Sequence, residues 1–138
     1  MEWMLLPYRR YAEFSGRSRR MEYWMFVLFQ IVVSFGLGLI FGTTQTYRVG
    51  FYISATMVQH KPGDILQDIF GLVSFIPSLA VGVRRLHDID RSGWWLLLWF
   101  IPILGWIVLL VFMFLDGTPG DNRYGSDPKG RGTVDVFR

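Results

Sequence analysis

The sequence predicts an all-α membrane protein: three transmembrane helices in a small bundle, preceded by a short N-terminal interfacial helix. Three apolar stretches carry this prediction, at residues 23–41, 65–83 and 94–115. The first and third contain no Asp, Glu, Lys, Arg or His, and the second contains one carboxylate, Asp68, near its start. At about 1.5 Å per residue the shortest reaches roughly 28 Å, close to the roughly 30 Å core of a bilayer. The whole chain is expected to be one membrane domain.

Composition agrees with this class, because 51% of the residues are hydrophobic and only 18% are charged. The net charge of +3 comes from basic residues beside the apolar stretches, where they meet anionic lipid headgroups. A disordered or nucleic-acid-binding chain is therefore disfavoured. There is no cysteine, which excludes disulfides, thiolate metal sites and cysteine nucleophiles.

Residues 1–22 form a basic arm that we expect to lie at the membrane surface. Met4, Tyr8 and Tyr11 share one face of a predicted helix, although Pro7 is comfortable only in a helix's first turn. The apolar run that follows is too long for a signal peptide and ends without a small-x-small cleavage site. We interpret it as an uncleaved membrane anchor.

The distribution of Lys and Arg predicts the topology. Basic residues concentrate before the first span and between the second and third, whereas the first loop has only Arg48 and Lys61. The N-terminus and the second loop are therefore predicted to be cytoplasmic. Three spans then place the turn-rich tail, residues 116–138, on the opposite side. An extra crossing or a re-entrant segment would instead bring the tail to the cytoplasmic face.

Small residues recur every four positions on the first two spans and predict close packing. The two sets are Ser34, Gly38 and Gly42, and Ser74, Ser78 and Gly82. Such faces bring two helices, or two copies of the chain, into tight contact. Gln30 lies within the first span and is predicted to hydrogen-bond across helices, while Pro77 and Pro102 are predicted to kink theirs.

Polar chemistry is densest at residues 84–93, between the second and third spans. Arginines there and in the arm could bind an anionic headgroup or a phosphorylated lipid, together with His87; the candidates are Arg17, Arg19, Arg20, Arg84, Arg85 and Arg91. The alternative is a structural turn in which the arginines pair with Asp88 and Asp90, while Trp94 and Trp95 anchor the next helix. We favour the structural turn.

Two sets of potential metal ligands occur, one near His87 and one in the tail, and neither has the spacing of a known metal motif. No metal and no cofactor is therefore predicted. His87, Asp88 and Asp90 lack paired ligand spacing. The oxygen donors of the tail do not fit a calcium loop; they are Asp116, Asp121, Asn122 and Asp127.

One ion pair follows from the predicted topology. The first span begins, and the second ends, on the same side, so Glu22 is predicted to pair with Arg84 or Arg85. The alternative is a local contact between Glu22 and Arg19 within one helix turn.

Three motifs, in order, carry a family resemblance: GRSRRMEYW at residues 16–24, RRLHD at 84–88 followed by SGWW at 92–95, and PGDNRYG at 119–125. Together they resemble the YhaH-type family of bacterial inner-membrane proteins, a domain of unknown function (DUF 805). The resemblance covers nearly the whole chain and implies a location in the bacterial inner (cytoplasmic) membrane, where the predicted spans would make the protein multi-pass. It implies no activity and no catalytic residue.

Three function classes remain. A structural or interaction subunit is favoured, because no nucleophile–base pair or phosphate loop is present. An oligomeric carrier or lipid-handling protein is the alternative, and an enzyme using His87 with Asp88 or Asp90 is the least supported, so we predict no enzymatic activity. The expected partners are the bilayer, anionic phospholipid headgroups, and a second copy or another membrane protein.

Overall fold

The computed structural model describes residues 2–41 and 62–131 and is entirely helical, with no β-strand among these residues. The elements are α1 (Glu2–Arg9), α2 (Arg20–Phe41), α3 (Pro62–Asp88), a 3₁₀ helix (Gly93–Phe100) and α4 (Leu104–Phe114). Among the helices of the described residues, α2 and α3 are the two that are long and apolar enough to cross a membrane.

Helices α2 and α3 pack against each other in antiparallel directions. Glu22 near the start of α2 pairs with Arg84 near the end of α3. Eight residues further along α2, Gln30 donates a hydrogen bond to Ser78 Oγ at 2.8 Å. The predicted cross-helix bond of Gln30 is therefore confirmed. We call the end of this pair at which α2 begins and α3 ends the polar end.

Helix α3 ends in a Schellman motif. Asp90 adopts a left-handed conformation with φ of 57°. The amide of Arg91 donates to the carbonyl of Leu86, and that of Asp90 donates to the carbonyl of His87. These bonds satisfy carbonyls that the helix end would leave free, and they turn the chain sharply toward Gly93.

The prediction that residues 94–115 form a third transmembrane helix is wrong. The chain reverses at residues 101–103, where Pro102 removes a backbone donor and Ile103 has φ of 66°, so the 3₁₀ helix and α4 form a hairpin, residues 93–114. Trp106 Nε1 closes it by donating to the carbonyl of Trp99 at 2.9 Å. At about 2.0 Å per 3₁₀ residue and 1.5 Å per α residue, each arm is roughly 16 Å long, half the hydrocarbon core. We call this element the apolar hairpin.

The N-terminal helix exists and uses its predicted aromatic face. Tyr8 packs edge-on against Phe26 and Phe29, with ring centroids 5.3 and 6.0 Å away, and its hydroxyl lies 2.6 Å from Ser74 Oγ. Tyr11, which lies in the turn after α1 and not in the helix as predicted, donates to the carbonyl of Val73 at 2.9 Å. Helix α1 therefore covers both long helices, while its position at a membrane surface stays a prediction.

The small residues pack differently from the predicted single contact. Ser34 and Gly38 line a cleft of 820 Å³ between α2 and α3 instead of closing it. Ser74 is buried beneath Tyr8, and Gly82 faces Leu96 of the apolar hairpin. Gly42 lies outside the described residues, and contact between copies stays a prediction.

Candidate functional site

The three sequence motifs meet at the polar end and build a buried charge cluster. It consists of three arginines and three acids with exposed fractions between 0% and 8%: Arg17, Glu22, Arg84, Arg85, Asp88 and Asp127. Balanced charge matters here, because an unpaired ion away from water is far more costly than a paired and hydrogen-bonded one.

Arg17 joins the arm to α3 and to the tail. Its Nε donates to Asp88 Oδ1 at 3.0 Å, while its two terminal nitrogens donate to the carbonyls of Gly120 and Thr118, each at 2.6 Å. A second carboxylate, Asp127, lies 3.8 Å away. The planar guanidinium suits this role because its donors diverge in fixed directions.

Arg85 joins α3 to the end of the apolar hairpin. Its Nη1 donates to the other oxygen of Asp88 at 2.8 Å, and its Nη2 donates to the carbonyl of Leu115. Its Nε contacts the carbonyl of Met113 at 3.5 Å. The last carbonyls of a helix have no partner within the helix, so Arg85 acts as the C-terminal cap of α4.

The structure confirms the predicted pairing of Glu22 and assigns it to Arg84: Glu22 Oε1 lies 3.1 Å from Arg84 Nη2, and the two side chains are 3% and 0% exposed, respectively. Arg85 pairs with Asp88 instead. The backbone amide of Ser18 also donates to the carbonyl of Arg84 at 3.1 Å. This pair therefore fixes the start of α2 against the end of α3.

His87 connects the same segments through its ring and its carbonyl. The ring stacks on that of Tyr124, with the two ring centroids 3.8 Å apart and the ring planes 4° from parallel. The Nδ1 atom of His87 lies 3.2 Å from the carbonyl oxygen of Gly16. Asn122 Nδ2 donates to the His87 carbonyl at 2.9 Å. Because His87 contacts Gly16 and Tyr124 while Asp88 contacts two arginines, this geometry does not support an acid–base pair.

The tail lies at the polar end, which corrects the expectation that it emerges on the opposite side from the arm. Thr118 donates its amide to the carbonyl of Asp88 at 2.9 Å. Gly117 fits closely, since a Cβ there would lie 2.1 Å from Asp88 Oδ2. The cause of the error is the hairpin, which returns the chain to the end from which it started.

Within the tail, the Asp127 carboxylate bonds to backbone and side-chain groups of the residues that follow it. It accepts from the amide of Lys129 and from Nε of Arg131, each at 2.9 Å, and the Arg131 guanidinium lowers the pKa of Asp127 well below its ordinary value. Lys129 also contacts Asp116, which lowers the pKa of that carboxyl. The sequence prediction considered these acids as oxygen donors that do not fit a calcium loop. The missed signal was their pairing with basic residues: Asp127 with Arg17 and Arg131, and Asp116 with Lys129.

Three of the predicted anion-binding residues remain near the surface. The guanidinium of Arg19 lies 5.5 Å from the ring of Trp3, and that of Arg91 lies 5.7 Å from Trp95. Neither forms an ion pair with a described residue. Arg20 lies 3.4 Å from Asp116, and its side chain is 42% exposed. Trp94 is 78% exposed, so its predicted role as a membrane anchor stays a prediction.

Within residues 2–41 and 62–131, no three His, Cys, Asp or Glu side chains are placed to hold one metal ion. The acids of the charge cluster face arginines instead.

Comparison with known proteins identifies the family. The profile described as "Protein of unknown function (DUF805)" matches residues 11–126. Inner membrane protein YhaH of Escherichia coli (strain K12) is 45% identical over 130 residues, 94% of this chain and 98% of YhaH. Inner membrane protein YhaI of the same strain is 45% identical over 132 residues, 94% of this chain and 97% of YhaI.

A more distant relative, uncharacterized protein YiiR of the same organism, is 29% identical over 140 residues, 83% of this chain and 84% of YiiR. No solved structure gives a significant match. Since the profile spans most of the chain and two inner membrane proteins match nearly its whole length, the chain is a membrane protein that belongs to the DUF805 family.

Proposed function

We propose that this chain is a structural or interaction subunit of the bacterial inner membrane, without enzymatic activity. Helices α2 and α3 cross the bilayer, and the apolar hairpin dips into one leaflet and returns. The arm, residues 89–92 and the tail then all face the cytoplasm. The excess of Arg and Lys in these segments over Arg48 and Lys61 of the first loop supports this orientation.

The observation that carries the proposal is the internal pairing of the arginines. Arg17, Arg84 and Arg85, half of the arginines predicted to bind an anion, are at most 6% exposed. Their partners are carboxylates and backbone carbonyls of the chain itself. A carrier would keep such groups open to its substrate, so this arrangement favours a rigid platform at the cytoplasmic face.

In-cell cross-linking tests the proposal. Because the native chain has no cysteine, a single cysteine at Ser126 or Arg123 places a thiol-directed cross-linker on the outer surface of the polar end. A structural subunit is expected to give one adduct of constant mass and stoichiometry, either a second copy or one membrane protein. A cysteine at Leu72, which is 76% exposed on α3, is the control for random collision in the bilayer. The same adducts from both positions would contradict the proposal.

A lipid-handling function is the second candidate, favoured by Arg19 and Arg91. Each guanidinium lies over a tryptophan without an acidic partner among the described residues, an arrangement suited to a headgroup phosphate at the interface. Native mass spectrometry of protein extracted with its lipids compares Arg19→Gln/Arg91→Gln with Arg123→Gln, a surface arginine that pairs with Asp90. Loss of bound anionic phospholipid in the first variant alone would support this candidate. Equal retention in both would exclude it.

A further inference from the structure

A groove of 510 Å³ runs between α2 and the apolar hairpin, and we call it the hairpin groove. Tyr23 and Trp24 of α2 line one wall, and Trp99 and Trp106 of the hairpin arms lie among the residues of the other. The lining extends from Met113, near the end of α4, to Ile103 at the turn of the hairpin. At about 1.5 Å per residue this distance is roughly 15 Å, half of the roughly 30 Å hydrocarbon core.

The walls of the hairpin groove suit a hydrocarbon chain. Two indole nitrogens that could recognise a polar ligand are used within the chain, since Trp24 Nε1 donates to the carbonyl of Met113 at 3.2 Å and Trp106 Nε1 donates to that of Trp99. A partner helix approaches closely where the residues are small, whereas these walls carry bulky aromatic rings. A flexible acyl chain is thinner than a helix and fits between such rings.

One end of the hairpin groove adjoins a partly exposed arginine. Arg20 Nη1 donates to the carbonyl of Phe114 at 3.2 Å, and the ring of Phe114 lies 4.5 Å from that of Trp24 in the groove wall. The Arg20 side chain is 42% exposed. A guanidinium has five N–H donors, so one carbonyl and one carboxylate leave donors for a ligand.

Positive charge is in excess around this end of the hairpin groove. Among the described residues, one connected set of ion pairs joins five cations to three carboxylates: Arg17, Arg20, Arg85, Lys129 and Arg131 share Asp88, Asp116 and Asp127. Three of the cations contact Asp116, and their side chains are between 27% and 42% exposed. The surplus positive charge therefore faces outward, where an anionic headgroup reaches it.

We propose that the hairpin groove binds an anionic phospholipid, with the phosphate at Arg20 and one acyl chain along Trp24 and Trp106. The groove and the cationic end are continuous, so the site matches a molecule that carries both a hydrocarbon chain and a negative charge. It is separate from Arg19 and Arg91. This inference rests on the proposed placement of the apolar hairpin within one leaflet.

Quenching by brominated lipids tests the site in the full-length protein, because tryptophans line the hairpin groove. Phosphatidylcholine vesicles receive a small fraction of phosphatidylglycerol or phosphatidylcholine with brominated acyl chains, which quench tryptophan fluorescence on contact. Brominated phosphatidylglycerol is expected to quench more than the same fraction of brominated phosphatidylcholine. Equal quenching would mean that bilayer lipids contact the hairpin without preference, and it would overturn the proposal.

Two substitutions with opposite expected effects separate binding from stability. Arg20→Gln is expected to abolish the excess quenching by phosphatidylglycerol, whereas Asp116→Asn removes a competing carboxylate and is expected to increase it. An ion pair with a structural role alone would lower the excess in both variants. Arg123→Gln and Arg19→Gln/Arg91→Gln are the controls and are expected to keep it. Retention of the excess in Arg20→Gln, or its loss in a control, would overturn the site.

A matched pair on α4 tests the acyl-chain path. Leu110→Phe enlarges a side chain that lines the hairpin groove and is expected to reduce the excess quenching, whereas Val111→Phe, at the adjacent position outside the lining, is expected to keep it. Equal loss in both would overturn the path. Cross-linking of Leu110→Cys to another protein chain would place a helix in the groove and overturn the lipid site.

Failure of the underlying topology has a different signature. Labelling of Ser92→Cys and Ser126→Cys on opposite sides of the membrane would overturn the proposed placement of the apolar hairpin. Labelling of both on the same side, without excess quenching by phosphatidylglycerol, would overturn the lipid site alone.

Discussion

The charge cluster and the apolar hairpin lie side by side and are held together by opposite means. In the cluster, charged side chains are buried and each arginine has carboxylate or carbonyl partners within the chain. In the hairpin, large apolar side chains face outward, and a few contacts between the arms, such as the bond from the Trp106 side chain to the Trp99 carbonyl, hold the shape. The two regions depend on each other, because Arg85 of the cluster caps the end of the hairpin. A dense polar motif in this membrane protein therefore serves to close the fold.

The largest expected effect comes from separating the buried pair of Arg84 and Glu22. Arg84→Met or Glu22→Met leaves one charge buried without its partner, which costs about 3–5 kcal/mol of the free energy of unfolding. The double variant is expected to regain most of that loss, because neither charge remains. Unfolding of all three variants in detergent completes a double-mutant cycle. If the loss of unfolding free energy in the double variant equals the sum of the losses in the two single variants, the pair does not couple α2 to α3.

Gly105→Ala is expected to disrupt the apolar hairpin with the cluster intact. A Cβ at this position would lie 1.9 Å from the carbonyl oxygen of Leu98, so the two arms must separate. Overpacking of this kind costs typically 1–3 kcal/mol. Gly71→Ala is the control, since nothing lies within 4 Å of a Cβ there. Altered tryptophan fluorescence in Gly105→Ala alone is the expected result, and equal changes in both variants would contradict the hairpin geometry.

Acid is expected to release the tail. Because Arg131 lowers the pKa of Asp127 in the folded state, the pair stabilises the tail above roughly pH 5, and this stabilisation is lost progressively as the pH falls below that value. Protease protection of the tail measures the change. Asp127→Asn is expected to have a weaker tail with a flatter pH response, retaining only the titration of Asp116, whose pKa is also lowered. An unchanged pH profile in Asp127→Asn would exclude Asp127 as the responsible group.

The smallest effect is expected from Arg123→Gln. Its pair with Asp90 is 3.1 Å long, but the two side chains are 61% and 45% exposed, and such surface pairs contribute about 0–1 kcal/mol. The midpoint of thermal unfolding is expected to shift little, and less as salt is added. A loss comparable to that of Arg84→Met would mean that surface and buried pairs contribute alike.

Sequence reasoning worked where local chemistry determines structure. Charge and span length predicted α2, most of α3 and a pair of Glu22 with Arg84 or Arg85, of which the structure forms the pair with Arg84. The amide of Gln30 required a partner within the bilayer. It failed at residues 94–115, where an apolar run of spanning length is consistent with either one crossing or a reversal. The reversal depends on Pro102, Ile103 and the fit of Gly105, and hydropathy does not register those backbone features. The tail was misplaced for the same reason.

The side of the membrane on which the tail lies decides whether the apolar hairpin returns the chain to the polar end. Single cysteines at Ser92 and Ser126 flank the hairpin in a chain that has no other cysteine. We expect an impermeant thiol reagent to label neither position in intact cells and to label both after permeabilisation. Labelling of Ser126 alone in intact cells would mean that residues 94–115 cross the bilayer, and it would contradict the joining of the three motifs at one face.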